Sequence, residues 1–185
     1  MLKRKEAVIN YYKKMLDQMI SDVDFKRWLG EGCKIKKYSE LKDYTTIYDL
    51  LPNEKDFVII LTEEKKNQGH WCCLLRNKDK FEWFDSYGVK PDGELKFIPL
   101  MVRRWLGQDE YDLSRLLEPV KYEYNKKKLQ NLQDGINTCG KWCIARILMF
   151  QTGHTLDEFL EKCKEKKDET GKPYDILVCD WIKSA

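Results

Sequence analysis

Two apolar and aromatic runs, HWCCLLR from His70 and KFEWFDSY from Lys80, are separated only by the residues NKD. Runs of this composition joined so tightly read as an antiparallel hairpin. A two-residue loop at Asn77 and Lys78 pairs Arg76 with Asp79, and counting back then pairs His70 with Asp85. A three-residue loop moves the partner of His70 to Ser86. On either count His70 and Asp85 fall within one residue of being cross-strand neighbours, so the hairpin commits the chain to a sheet and sets an imidazole beside a carboxylate.

The remaining sequence supplies helices around that sheet. Val8, Tyr11, Tyr12, Met15 and Met19 recur near helical spacing, which predicts a first helix over residues 5–20. TIYDLLP reads as a short helix stopped by Pro52, DFVIIL as a buried strand and VKYEY as a further strand. From Cys139 to Gln151 apolar residues surround the helical wheel, so this helix is buried. Asn137 or Thr138 can cap its start and Gly153 can close its end. TLDE at Thr155–Glu158 has the capping-box pattern and opens another helix, and a last helix runs from about Pro173 to Ile182. Helices at both ends with strands between them predict an α+β fold.

Composition narrows the function classes. The 185 residues suit one domain, 1–185, with a substantial core, and 42% hydrophobic with 35% charged residues marks a globular chain. A net charge of +3 is too small to argue for nucleic acid. The lysine runs at Lys65–Lys66, Lys126–Lys128 and Lys164–Lys167 read as solvated surface. The N-terminus has basic residues but no apolar segment behind them, so no signal peptide is expected, and FVIIL is far too short to cross a bilayer. Seven cysteines without a disulfide rhythm predict free thiols in a reducing, intracellular compartment.

Cys139 then stands out, because it opens the buried helix. A thiol in the first helical turn feels the positive end of the dipole, and a protonated histidine beside it favours the thiolate further. Asp85 is expected to accept the Nδ1–H of His70, leaving Nε2 to face Cys139. Gln133, six residues before Cys139 and held by the turn DGIN, is placed to donate to an oxyanion, with the Cys139 backbone N–H as a second donor. Other readings of these residues exist. Cys139 and Cys143 share a helix face and with Cys72, Cys73 and His70 can be imagined around zinc, but there is no CxxC knuckle, so no metal and no cofactor is expected. Cys143, Cys33, Cys163 and Cys179 read as packing. Trp28, Trp83, Trp105 and Trp181 are expected in the core, and His154 at a helix end or facing water.

His70-Trp71, then FDSYG, then Gln133, then NTCGKWC resemble the adenain and SUMO-protease superfamily of cysteine proteases over roughly residues 56–152. The resemblance implies a papain-like or adenain-like fold with a central mixed sheet flanked by helices and the nucleophile at the N-terminus of a buried helix. It implies His70 as general base, Asp85 as its orienting acid, Cys139 as nucleophile, Gln133 as oxyanion donor and Trp71 as a wall of a glycine-selective tunnel. Strict strand alternation puts Trp71 on the opposite face from His70, so that role rests on the resemblance alone. The short length, FDSYG and TCGKWC look most like maturation proteases of double-stranded DNA viruses and virophages. Such an enzyme would cut capsid or core proteins at glycine-containing sites, in the virion and the host-cell cytoplasm. It implies no membrane partner, and leaves room for a DNA or peptide activator. Thr138, where deSUMOylating members usually carry aspartate, leans against a SUMO-specific isopeptidase. That isopeptidase, a deubiquitinase, a protein acetyltransferase and an inactive binding module of the same fold remain the alternatives. The sequence sets no oligomeric state.

Overall fold

The computed structural model describes residues 2–183, with side chains from Glu6 onward. Its centre is a five-stranded mixed sheet in the order β1 (Lys34–Lys37), β2 (Phe57–Lys65), β3 (Gln68–Asn77), β4 (Lys80–Phe84), β5 (Lys121–Tyr124). The two inner pairings are antiparallel and the two outer ones parallel. Alternation along β2 and β3 divides the side chains between two cores. Ile59, Leu61, Cys73 and Leu75 face one side, while Val58, Ile60, Cys72 and Leu74 face the other. Because both faces are buried, these strands read as continuous apolar runs.

The first core is covered by α2 (Asp22–Leu29), α6 (Cys139–Gln151), α7 (Leu156–Thr170) and α8 (Tyr174–Trp181), and α1 (Leu2–Asp17) rests on α8. The second is covered by α3 (Ile47–Leu50), α5 (Asp112–Leu117) and 3₁₀ turns at Tyr38–Asp43 and Gly93–Phe97. A further helix, α4 (Leu100–Leu106), buries none of its residues. The layout is the α+β arrangement expected: a central mixed sheet, helices on both faces, and Cys139 as the first residue of a buried helix. Among the described residues no helix is long and apolar enough to cross a membrane.

Several local expectations change. The first helix stops at Asp17, and residues 18–21 cross to α2, whose start is fixed by a capping box between Ser21 and Asp24. Trp105 is 73% exposed on α4 rather than in the core, beside the exposed Phe97 and Met101, whereas Trp83 is buried and Trp28 and Trp181 pack against the first core. The start of α6 has no side-chain cap. The Thr138 hydroxyl instead donates to Asp175 at 2.6 Å, and the Asn137 amide donates to Asp17. The predicted Thr155 capping box is present, and Gly153 follows the end of α6 at φ 90°.

The far end of α6 is tied to the sheet by a buried ion pair. Arg146 Nε and Nη2 donate to the two carboxylate oxygens of Glu82, each at 2.7 Å, and both Nη atoms reach the His154 carbonyl at 3.2 Å. A bidentate pair of this kind fixes angle as well as distance. It links the helix that begins at Cys139 to the strand that ends one residue before Asp85.

Candidate active site

The hairpin turns at Lys78 and Asp79, since Asn77 pairs with Lys80. Lys78 takes the left-handed conformation this turn needs, at φ 57°. The register therefore differs by two residues from the shorter expected loop, and continuing it sets Tyr87 opposite His70. A shift of two keeps every side chain on its face. Asp85 becomes a diagonal neighbour of His70 and still reaches it, with Oδ1 3.1 Å from Nε2. Tyr87 stacks on the imidazole at 4.4 Å.

The turn after β4 is held from several directions. Gly88 donates its N–H to the Asp85 carbonyl and adopts φ 75°, and a Cβ there would sit 2.9 Å from the Lys127 backbone. The buried Asn125 donates its side-chain amide to the Asp85 carbonyl at 2.7 Å and to that of Lys127 at 2.9 Å. The Tyr87 N–H donates to Asp85 Oδ1 at 2.7 Å. Asp85 Oδ2 is buried and has no hydrogen-bond partner.

Which ring nitrogen faces which partner is opposite to the expectation. Nε2 of His70, not Nδ1, faces the acid. It lies 3.1 Å from Asp85 and 3.0 Å from Oε1 of a second carboxyl, Glu94. Cys139 lies beside the same imidazole in one cleft, and with Nε2 turned to the acids, Nδ1 is the nitrogen left for the sulfur. The cause is topological: β4 ends at Phe84 while β3 runs back to Gln68, so His70 has a ladder partner only on its β2 side, Thr62. The acids approach the ring on the side where β4 has stopped.

Burial pushes the Cys139 thiol up, but the hydrogen bond and positive charge of His70, with backbone N–H groups behind them, more than reverse this and hold it below the ordinary thiol range. For His70, burial favours the neutral ring; the acidic side chains packed around it, Glu94, Cys72 and Asp85, outweigh this and raise the imidazolium well above its usual range. Both shifts favour a thiolate–imidazolium pair. Cys143 sits one turn further along α6, donates its S–H to the Trp71 carbonyl at 3.4 Å, and is pushed well up by burial. One prediction follows from the pair. Iodoacetamide alkylation of Cys139, followed by peptide mass spectrometry, should rise through a midpoint below that of an ordinary cysteine. Replacing His70 by alanine should move that midpoint upward, because burial is then opposed only by backbone hydrogen bonds. An unchanged midpoint would mean that His70 does not activate the thiol.

Cys139 and His70 lie in a cleft of about 710 Å³, whose lining includes Met19, Gly69, Tyr87, Gln130 and Gln133. Another hollow, of about 460 Å³ among Trp28, Met149, Phe159 and Trp181, is more apolar; its thiol, Cys163, is pushed up to about 12 by burial, and no histidine lines it. Chemistry therefore points to the first cleft. The segment before α2 forms one rim of it. Asn137 donates its N–H to the Leu16 carbonyl at 2.7 Å, Lys141 Nζ donates to the Gln18 carbonyl at 2.6 Å, and Trp71 Nε1 donates to the Ile20 carbonyl at 3.2 Å. Gly140 permits this approach, since a Cβ there would lie 2.5 Å from Ile20. That is a structural reason for the Cys139-Gly140 pair.

The structure brings His70, Asp85 and Cys139 together and sets Gln133 on the cleft wall. Trp71 lies behind the cleft rather than on it, edge-on to Phe25 at 5.0 Å. Glu94, Tyr87 and Gln130 were missed by the sequence reading. Gln130 is buried; it accepts from Ser86 Oγ at 2.8 Å and donates to the Ile136 carbonyl at 3.0 Å, latching the loop before Cys139 to the end of the hairpin. Glu94, in PDGELKF, carries no local signature at all. The ligand-capable atoms of His70, Cys72, Asp85 and Glu94 lie within 4.8 Å of one another. They are already directed at each other, and burial pushes the Cys72 thiol well up, which favours a proton network over a metal centre.

A mixed-sheet α+β fold with a low-lying thiol at the start of a buried helix, a histidine on the adjacent strand and acids behind it defines the class of protein described here. The chain belongs to the family of uncharacterized protein V9 of Sputnik virophage, to which it is 40% identical over 144 residues, covering 76% of this chain and 80% of that protein. No protein-family model matches it. Among solved structures it is similar to the ASFV pS273R protease, at 14% identity and TM-score 0.49 in the selenomethionine form, covering 91% of this chain and 70% of that one. Another crystal structure of that protease gives 15% and 0.47, covering 77% of this chain; the chain spans 61% of its length. AvrA delL154 with IP6 and CoA gives 13% and 0.44, covering 85% of this chain and 66% of that one. At these identities and scores the likeness bears on neither substrate nor reaction.

Proposed function

We propose that residues 1–185 form a single cysteine protease domain, and that it is an endopeptidase cutting after glycine in capsid or core proteins of a virus-like element. The observation that carries the reading is the placing of Cys139 at the start of α6 in the same cleft as His70, whose Nε2 faces Asp85 at 3.1 Å. In this mechanism the thiolate attacks the scissile carbonyl, and the imidazolium gives its Nδ1 proton to the leaving amine. The neutral ring then takes a proton from water as the thioester is hydrolysed. Asp85 keeps the ring in the tautomer with hydrogen on Nε2. The relationship to a virophage protein supports the viral setting.

Gln133 is the proposed oxyanion donor. It is exposed in the cleft and part of the turn closed by the Ile136 N–H to Gln133 carbonyl bond at 3.1 Å. Gln133→Ala should lower kcat about 10²–10³-fold with KM nearly unchanged. Equal kcat would remove Gln133 from the mechanism and leave the Cys139 N–H as donor.

Glycine preference would come from the rim at Met19 and the stacked Tyr87, with Trp71 acting at one remove by holding Ile20 in place. Any Cβ forced against such packed surface is costly. The experiment compares a Gly-Gly-X peptide, the same peptide with alanine before the scissile bond, and a SUMO C-terminal fusion. The reading expects cleavage of the first and loss of most of the rate on the second. Cleavage of the fusion alone would replace it with an isopeptidase.

A further inference from the structure

Glu94 is the group near the candidate site whose place the mechanism above does not use. Its carboxyl is buried, with Oε1 3.0 Å from His70 Nε2 and Oε2 accepting from the Cys72 thiol at 3.8 Å. Asp85 approaches the same nitrogen at 3.1 Å, and carboxyl oxygens of Asp85 and Glu94 lie within 4.8 Å of each other. One N–H cannot serve two carboxylates fully, and two buried carboxyl groups this close to each other favour a proton held between them. The groups around the ring are His70 and Cys72 from β3, Asp85 and Tyr87 after β4, Glu94 from the 3₁₀ turn, and Cys139 from α6. With thiolate, imidazolium and both carboxylates charged, this buried group would carry −2. One shared proton brings it to −1 and gives the orphaned Asp85 Oδ2 a donor.

We propose, resting on the protease reading, that Glu94 is a positioning residue working as a neutral acid: its hydroxyl donates to Asp85 Oδ2 and its other oxygen faces His70 Nε2, so the imidazole is held in one orientation with its hydrogen on Nε2. Burial pushing the Glu94 carboxyl well above the carboxylate range, against the pull of His70, is in keeping with this. Through the catalytic cycle Nδ1 alone then gains and loses a proton. Asp85 carries the single negative charge that balances the imidazolium, and Glu94 satisfies that aspartate without adding a second.

Glutamine is the isostere of a protonated glutamate, so Glu94→Gln should keep kcat/KM within about threefold of wild type, while Glu94→Ala should lose about 10–100-fold. Two measurements read the proton without any substrate. Infrared spectra at neutral pH should show the C=O stretch of a protonated carboxylic acid in wild type that disappears in Glu94→Gln. The chain has two histidines, His70 and His154, so ¹⁵N-imidazole NMR can follow His70 directly. Its titration midpoint should be nearly the same in wild type and Glu94→Gln, because no charge has been removed. A fall of about one pH unit or more, the effect of losing a neighbouring charge, or the absence of the carboxylic acid band, would overturn the proposal. Full activity in Glu94→Ala would overturn it as well. If the spectroscopic results hold but wild type cuts no peptide, it is the protease reading that fails and the shared proton that stands.

Discussion

Replacing Cys139 by alanine should leave a folded protein that has lost essentially all cleavage, a drop of about 10⁴-fold or more in kcat. The expectation rests on position. Cys139 is the first residue of α6, its sulfur faces both the cleft and His70, and no other thiol has that combination. Removing one sulfur at the edge of the core should cost on the order of 1 kcal/mol of stability, against a typical total of about 5–15 kcal/mol. Circular dichroism and the unfolding midpoint should therefore stay near wild type while peptide hydrolysis disappears. Activity lost in Cys143→Ala and kept in Cys139→Ala would move the nucleophile one turn along the helix.

The largest effect on stability should come from Arg146→Met. Arg146 is fully buried and bidentate to Glu82, whose carboxyl burial already pushes up against the pull of the guanidinium. Without that cation Glu82 is left buried without a counter-charge, a change that costs about 3–5 kcal/mol in comparable pairs. For a chain of this size that lowers Tm by roughly 6–20 °C. The double variant Arg146→Met with Glu82→Leu should recover most of the loss, because an apolar pair of similar volume needs no charge balance. Thermal melts of the two single variants and the double variant test this. A double variant no more stable than Arg146→Met alone would show that the loss comes from the shape of the arginine and not from the stranded carboxylate. Since the pair joins α6 to β4, the single variant should also loosen the approach of Cys139 to His70.

The parts of the site legible in the sequence were those written in short periods. The apolar runs around NKD announced the hairpin, and a helix apolar on most sides announced a buried α6 with Cys139 at its start. The loop position was misjudged, yet Asp85 still reaches His70. An error of two residues along a strand changes the opposite neighbour to Tyr87 but not the face. The ring orientation was misjudged for a different reason. Nothing local says where β4 ends relative to β3, and that end decides from which side the acids approach the imidazole.

Sequence patterning by itself determined the buried strand at DFVIIL, the hairpin, the capping box before α7 and the placing of a cysteine at the start of a buried helix. Each depends on residues a few positions apart, where the periods of strand and helix act directly. Only the tertiary structure decided that Glu94 shares His70 with Asp85, that Gln130 latches the loop before Cys139, that residues 18–21 rim the cleft, and that Arg146 finds Glu82. These are polar contacts between residues 24 to 123 positions apart. A buried polar group must find a partner, but no spacing in the chain says which one, and the choice is made when strand ends, turns and helix starts meet in space.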